Sequence, residues 1–167
     1  GGLGSAQVGA LTTTQLGALT TTQIGALKAA QLRGFDTTDI AALTTTQVAG
    51  LASSQITALT TTQIRALETT DLAALTTAQL LGLSTLQMGV LTTTQIGALT
   101  TTQVSRLATR LVAALNTTDV AALSTTQIGA LTSTQLAAMG TTQVRALEPT
   151  DLAEATTTRM AGLGTRK

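Results

Sequence analysis

Leu91-Thr92-Thr93-Thr94-Gln95-Ile96-Gly97-Ala98 is the stretch whose local chemistry decides the fold. Thr92 has the residue type that caps a helix N-terminus, where a short side-chain oxygen accepts from a free first-turn N–H. Gln95, three residues on, completes a capping box by reaching back to the cap residue's own N–H. Leu91 and Ile96 occupy the two positions of a hydrophobic staple, one before the cap and one at the fourth helical residue. Gly97 and Ala98 are small and allow the chain to turn.

The same eight positions recur along the chain. From Leu3, twenty octads run without insertion or deletion to Gly162, and Leu163 to Lys167 starts another. Octad 1 is 3–10, octad 2 is 11–18, and so on to octad 20, 155–162. Position 1 is Leu in 17 of 20 octads, the exceptions being Phe35, Met139 and Ala155. Position 5 is Gln in 14 and Asp in 4: Asp39, Asp71, Asp119 and Asp151. Position 6 is Val, Ile, Leu or Met in all 20, and position 8 is Ala or Gly in 17. Pro149, the only proline, stands at position 3, directly after the expected cap Glu148. That is the first helical position, where a proline's missing N–H costs least.

These rules agree on an all-α solenoid of very short capped helices, one per octad, each ending at position 8 or 1. A continuous helix is disfavoured because apolar spacings of five and three drift around its surface. The alternative is a β-solenoid with ladders of Thr, Val and Ile, residues that favour strands. Against it, Ile96 and Leu99 are three apart and would face opposite sides of a strand. One octad buries too little apolar surface to offset the ordering of eight residues, so stability must come from stacked neighbours.

The domain organisation is a single array over 3–162 with a short tail, 163–167. A longer period overlies the octad. Shifted by ten octads, 11–87 falls on 91–167, and the departures from consensus coincide. Phe35-Asp36-Thr37-Thr38-Asp39 meets Leu115-Asn116-Thr117-Thr118-Asp119, Arg65 to Glu68 meets Arg145 to Glu148, and the irregular octads 4 and 14 meet each other. Duplication of an 80-residue block accounts for this. All four Asp-bearing octads are odd-numbered, which fits a coil of two octads.

Composition excludes much chemistry. The chain has no His or Cys, so a zinc site or a thiol or imidazole-activated nucleophile is not available. We expect no enzyme activity, no catalytic residue, no metal and no cofactor. Net charge is +1, which offers no argument for nucleic acid. No apolar run approaches the roughly 18 residues of a membrane helix, so no membrane insertion is expected. The chain opens on Gly1-Gly2 and shows no signal peptide, which reads as a processed or excised segment.

Few residues invite a functional role. Asp36 with Asp39, and Glu68 with Asp71, are paired carboxylates able to hold a cation weakly, but cap plus first-turn acid is the simpler expectation. Asp151 with Glu148 repeats the pattern. Arg33, Arg65 and Arg145 each precede an acidic cap (Asp36, Glu68, Glu148) by three residues. Surface ion pairs are the simpler expectation for them, and contact with a partner the alternative. The Thr residues at positions 3 and 4 are expected to be exposed, where regular hydroxyls could meet glycan or ice, or carry O-linked sugar.

The octad L-T-T-T-Q-[IV]-x-A resembles the octapeptide-repeat tracts of very long bacterial surface proteins of adhesin type. The resemblance covers 3–162. It implies an extracellular, fibrous or stalk-like role with self-association, and no catalytic residues. It brings no haem ligand either, since Met88, Met139 and Met160 stand at apolar core positions.

Overall fold

The computed structural model describes residues 3–154. Arg159, Met160, Arg166 and Lys167, with the octad and tail that hold them, lie outside the described residues. Within them the chain is a succession of nineteen short helices with no strand, one helix in each of octads 1 to 19. We number them α1 to α19 with their octads. Those used below are α1 (Ser5–Val8), α4 (Ala29–Leu32), α5 (Thr37–Ala41), α6 (Thr45–Ala49), α9 (Thr69–Ala74), α12 (Thr93–Gly97), α13 (Thr101–Arg106), α14 (Thr109–Val112) and α16 (Thr125–Ala130).

Each helix forms as the octad dictates. In α12 the cap Thr92 is extended (φ −75°, ψ 158°) and its hydroxyl accepts from the Gln95 N–H at 3.2 Å. The Gln95 Oε1 accepts from the Thr92 N–H at 2.9 Å. The Ile96 N–H donates to the Thr92 carbonyl at 2.9 Å, and the Ala98 N–H to the Thr94 carbonyl at 3.1 Å. The Leu99 N–H then closes on the Ile96 carbonyl at 3.2 Å, a tight final turn that ends the helix. No described residue has positive φ, so the corner is made by ordinary conformations and the glycines are not needed for it.

Octads coil into a solenoid whose axis is lined by positions 1 and 6. Ile24, Ile40, Ile56, Ile64 and Ile96 are fully buried, and Phe35 takes its place beside the position-1 leucines. Helices pack three octads apart, as α6 on α9, α13 on α16 and α1 on α4. Hydrogen bonds, described below, also join octads four apart. One superhelical turn therefore holds between three and four octads, not the two that the parity of the Asp octads had suggested. The odd-numbered octads do not share a side, because each helix packs on the third one along the chain, which has the opposite parity.

Tight packing between coils explains some of the small residues at positions 7 and 8. Position 7 of one octad meets position 8 three octads later. A Cβ built on Gly9 would lie 2.2 Å from the Gly34 carbonyl oxygen, and one on Gly34 would lie 2.3 Å from the Ser5 carbonyl oxygen. Gly17 has open space around it, so glycine at position 7 is obligatory only at some contacts.

Candidate functional site

The most extensive polar arrangement is a ladder of glutamine side chains running through the solenoid. Gln is an amide, so its two ends differ: the oxygen accepts and the nitrogen donates. At position 5 the oxygen is held by the cap N–H of the same octad. The nitrogen points to the coil beneath. The Gln63 Nε2 donates to the Leu32 and Phe35 carbonyls, both at 2.8 Å. Gln103 does the same to Leu72 at 2.8 Å and Leu75 at 2.7 Å, and Gln135 to Val104 and Leu107 at 2.8 Å each. From Gln47 onward each glutamine thus bonds a position-6 carbonyl four octads back and a position-1 carbonyl three octads back. These amides are almost wholly buried, Gln135 to 2% exposure and Gln95 to 4%. The position-6 carbonyls also accept from the next position-1 N–H, but the position-1 carbonyls have no backbone partner, and the ladder removes the cost of burying them orphaned.

The ladder explains a feature of the repeat that capping alone does not. A capping box accepts Glu as readily as Gln, yet Glu never occurs at position 5. A carboxylate would aim acceptors at acceptors. Position 2 is the more tolerant half of the box. Where it is Lys28, Ala52 or Gly140, the cap side-chain bond is absent. The glutamine half persists at 2.7 Å in all three.

Octad 14 has Leu111 at position 5, fully buried, and no amide to extend. Its neighbour Arg110 takes over. The Arg110 guanidinium donates to the Leu83 carbonyl at 2.8 Å and the Leu81 carbonyl at 2.9 Å. Leu83 stands 28 residues before position 111, the separation at which glutamines elsewhere in the ladder meet a position-1 carbonyl. Sequence reasoning missed this role for Arg110. The signal was the coincidence of a lost Gln and a new cation in one octad.

The paired acids separate into two environments. Asp39, Asp71 and Asp151 are buried, at 6%, 2% and 6% exposure, whereas Asp36, Glu68 and Glu148 are exposed. Asp39 and Asp36 cap each other: the Asp36 N–H donates to Asp39 Oδ2 at 3.0 Å, and the Asp39 N–H to Asp36 Oδ1 at 2.8 Å. The Glu148 N–H donates to Asp151 Oδ2 at 3.0 Å. Asp119 pairs in the same way with Asn116. Asp39, Asp119 and Asp151 therefore serve the cap half of position 5, but aspartate has no amide for the coil beneath. Burial pushes the carboxyls of Asp71 and Asp119 above the usual aspartate value, opposed in Asp119 by the Asn116 backbone N–H. Among the described residues no group of three or more metal-ligating side chains comes together.

Arg33 turns to the following coil, where its Nε donates to the Ala58 carbonyl at 3.0 Å. It also lines an open groove with Ser5, Ala6, Gly9, Ala30 and Gly34, between α1 and α4. Thr57 makes the same kind of contact one row on, its hydroxyl donating to the Gly82 carbonyl at 2.7 Å. Arg65 and Arg145 are exposed. Met88 and Met139 are core residues, at 0% and 4% exposure. Position 4 is exposed in every described octad, and it is Thr in most of them. Among the described residues no helix is long and apolar enough to cross a membrane.

No curated protein matches the chain, and no solved structure does. A family model does: the ALTTAQ repeat matches at residues 1–29, 21–53, 33–69, 64–101 and 112–149. Those matches cover most of the chain, and the family's Gln is the side chain that here bridges one coil to the next. The chain belongs to the ALTTAQ repeat family.

Proposed function

We propose that this repeat protein is a structural element, a stalk or fibre segment of a bacterial cell surface, and that it carries no catalysis. The observation that supports the reading is where its polar chemistry goes. Donors that another fold would gather at a site are spent here on joining successive coils, as in Gln63, Gln103 and Gln135. Coil contacts only its neighbours in such an array, so stability adds along the axis and length is set by the number of octads. The bacterial and extracellular setting rests on the resemblance of the octad to long surface proteins. Antibody labelling of intact and of permeabilised cells tests it. Signal on intact cells supports a surface stalk, and signal confined to permeabilised cells removes that setting. Electron microscopy of the purified protein tests the rest: thin rods, alone or joined end to end, support the stalk, and rounded particles count against it.

A second reading is favoured by one observation, the exposure of position 4 throughout the array. Repeated hydroxyls at a fixed spacing suit a flat, regular ligand such as a glycan surface or ice. Retention on immobilised glycans, or inhibition of ice recrystallisation, supports that reading, and neither effect at high protein concentration removes it.

A further inference from the structure

The acid rungs of the ladder carry an inference that the structural role does not need. Octads 8 and 10 flank the rung at Asp71. In both the amide is in place: Gln63 donates to Leu32 and Phe35, and Gln79 to Val48 at 3.3 Å and Leu51 at 2.6 Å. Gln79 also reaches the Ala49 carbonyl at 3.0 Å, and it meets Val48 and Leu51 at separations of 31 and 28 residues. The same register puts the Ile40 and Leu43 carbonyls beneath Asp71. Asp71 has no N–H to offer them. Its Oδ1 accepts from the Thr45 hydroxyl at 2.9 Å. Its Oδ2 is buried with no hydrogen-bond partner, the one such side-chain atom among the described residues. The Glu68 backbone N–H lies near enough to favour the carboxylate, but not in the alignment of a hydrogen bond.

No basic side chain is among the groups that act on the Asp71 carboxyl, and Arg106 of octad 13, which Gln103 joins to octad 9, is exposed. Helices α6 and α12 pack on α9 from the two sides. Their sequences, Thr-Thr-Gln-Val-Ala and Thr-Thr-Gln-Ile-Gly, hold no ionisable residue. Octad 9 itself adds Glu68, whose charge opposes ionisation of Asp71. Octad 5, in the coil beneath, adds Asp36 and Asp39 of the same sign. The basic residue nearest along the chain, Arg65, is exposed. An ionised Asp71 is thus an unpaired acceptor in a row built of acceptors, and a proton is the smallest species that converts it to a donor.

We propose that the Asp71 rung is a proton-binding joint, at which octads 5, 6 and 9 hold together more tightly when the medium turns acid. Uptake is a simple transfer: hydronium gives its proton to Asp71 Oδ2 and leaves as water, and no other bond changes. The resulting O–H can donate to one of the two carbonyls beneath, where a glutamine serves both. Burial, the largest influence on this carboxyl, acts in the same sense. A group held above its unfolded value adds stability that is complete below that value and is lost as pH rises through the folded one. The array should therefore gain stability on mild acidification, where carboxylate-paired proteins lose it.

Two measurements on the whole chain test this. Carbon-13 NMR of the aspartate carboxyls follows Asp71 directly, and its titration should fall at higher pH than that of a free aspartate side chain. Thermal midpoints from about pH 7 down to about pH 4.5 should rise for the wild-type protein. The rise should be smaller in Asp71→Gln, which has a permanent amide, and in Asp71→Asn, a neutral isostere that serves should the longer side chain not fit. An Asp71 titration at or below the free value overturns the proposal. So do wild-type and variant profiles that run parallel with pH.

Discussion

Replacing Gln95 with Glu separates the two jobs of position 5 with a change of one atom. The cap bond from the Thr92 N–H survives, because the remaining oxygen accepts as before. The amide nitrogen that faces the Ile64, Arg65 and Leu67 carbonyls, at 3.3, 3.1 and 2.7 Å, becomes an oxygen. Two to three buried donations are lost, each worth about 1 kcal/mol net. The new charge is placed at a residue only 4% exposed. Breaking a buried pair so that a charge is left uncompensated costs about 3–5 kcal/mol, and we expect a loss of that size at neutral pH. Part of it should return on acidification, since a protonated Glu can donate one hydrogen bond. Circular dichroism melts and urea titrations of the wild type, Gln95→Glu and Gln95→Met provide the comparison. Gln95→Met loses cap and ladder together but introduces no charge, so it should be the milder change. If Gln95→Glu melts within about 0.5 kcal/mol of wild type at neutral pH, the ladder is not what binds coil to coil.

Other outcomes follow from single contacts. Gly34→Ala should destabilise by about 1–3 kcal/mol, because its methyl would lie 2.3 Å from the Ser5 carbonyl oxygen. Gly17→Ala, at the same kind of helix end but with nothing nearby, should be neutral or stabilising by up to about 1 kcal/mol, and the pair of melts checks both. Arg110→Met should cost about 1–2 kcal/mol through the Leu81 and Leu83 carbonyls. Adding Leu111→Gln should recover most of that cost, and a double-mutant cycle would show a coupling absent between distant octads. Ile96→Val removes one methylene from a fully buried site and should lower stability by about 0.5–1.5 kcal/mol, read by the same melts.

Much of the local structure was legible at the level of eight residues. Cap, box and staple were placed correctly because each is a contact between residues at most five apart. Thr92, Gln95 and the Leu91–Ile96 pair carry the whole instruction for one helical turn. Pro149 opens the helix Pro149–Glu154 as its position requires. The same local view understated Gln95, whose oxygen it explained and whose nitrogen it left unassigned. It read Asp36 with Asp39 as cap plus first-turn acid, as found, but did not show that Asp39 and Asp71 are buried while Asp36 and Glu68 are exposed. A count of octads per coil was out of reach, and parity misled, because no residue within one octad records how much the chain rotates at each corner.

What the sequence by itself determined is the repeating unit: a capped helical turn every eighth residue, unable to stand alone and obliged to stack. Hydrogen bonds to the cap and the apolar period are short-range, so composition at eight positions suffices to specify them. What only the tertiary structure decided is which octads meet. From Gln47 onward the amide of each glutamine is satisfied by carbonyls 28 and 31 residues away, and that distance is set by the accumulated rotation of several corners. The meaning of Gln rather than Glu, of Arg110 beside Leu111, and of the lone buried oxygen of Asp71 becomes visible only once one coil lies on another.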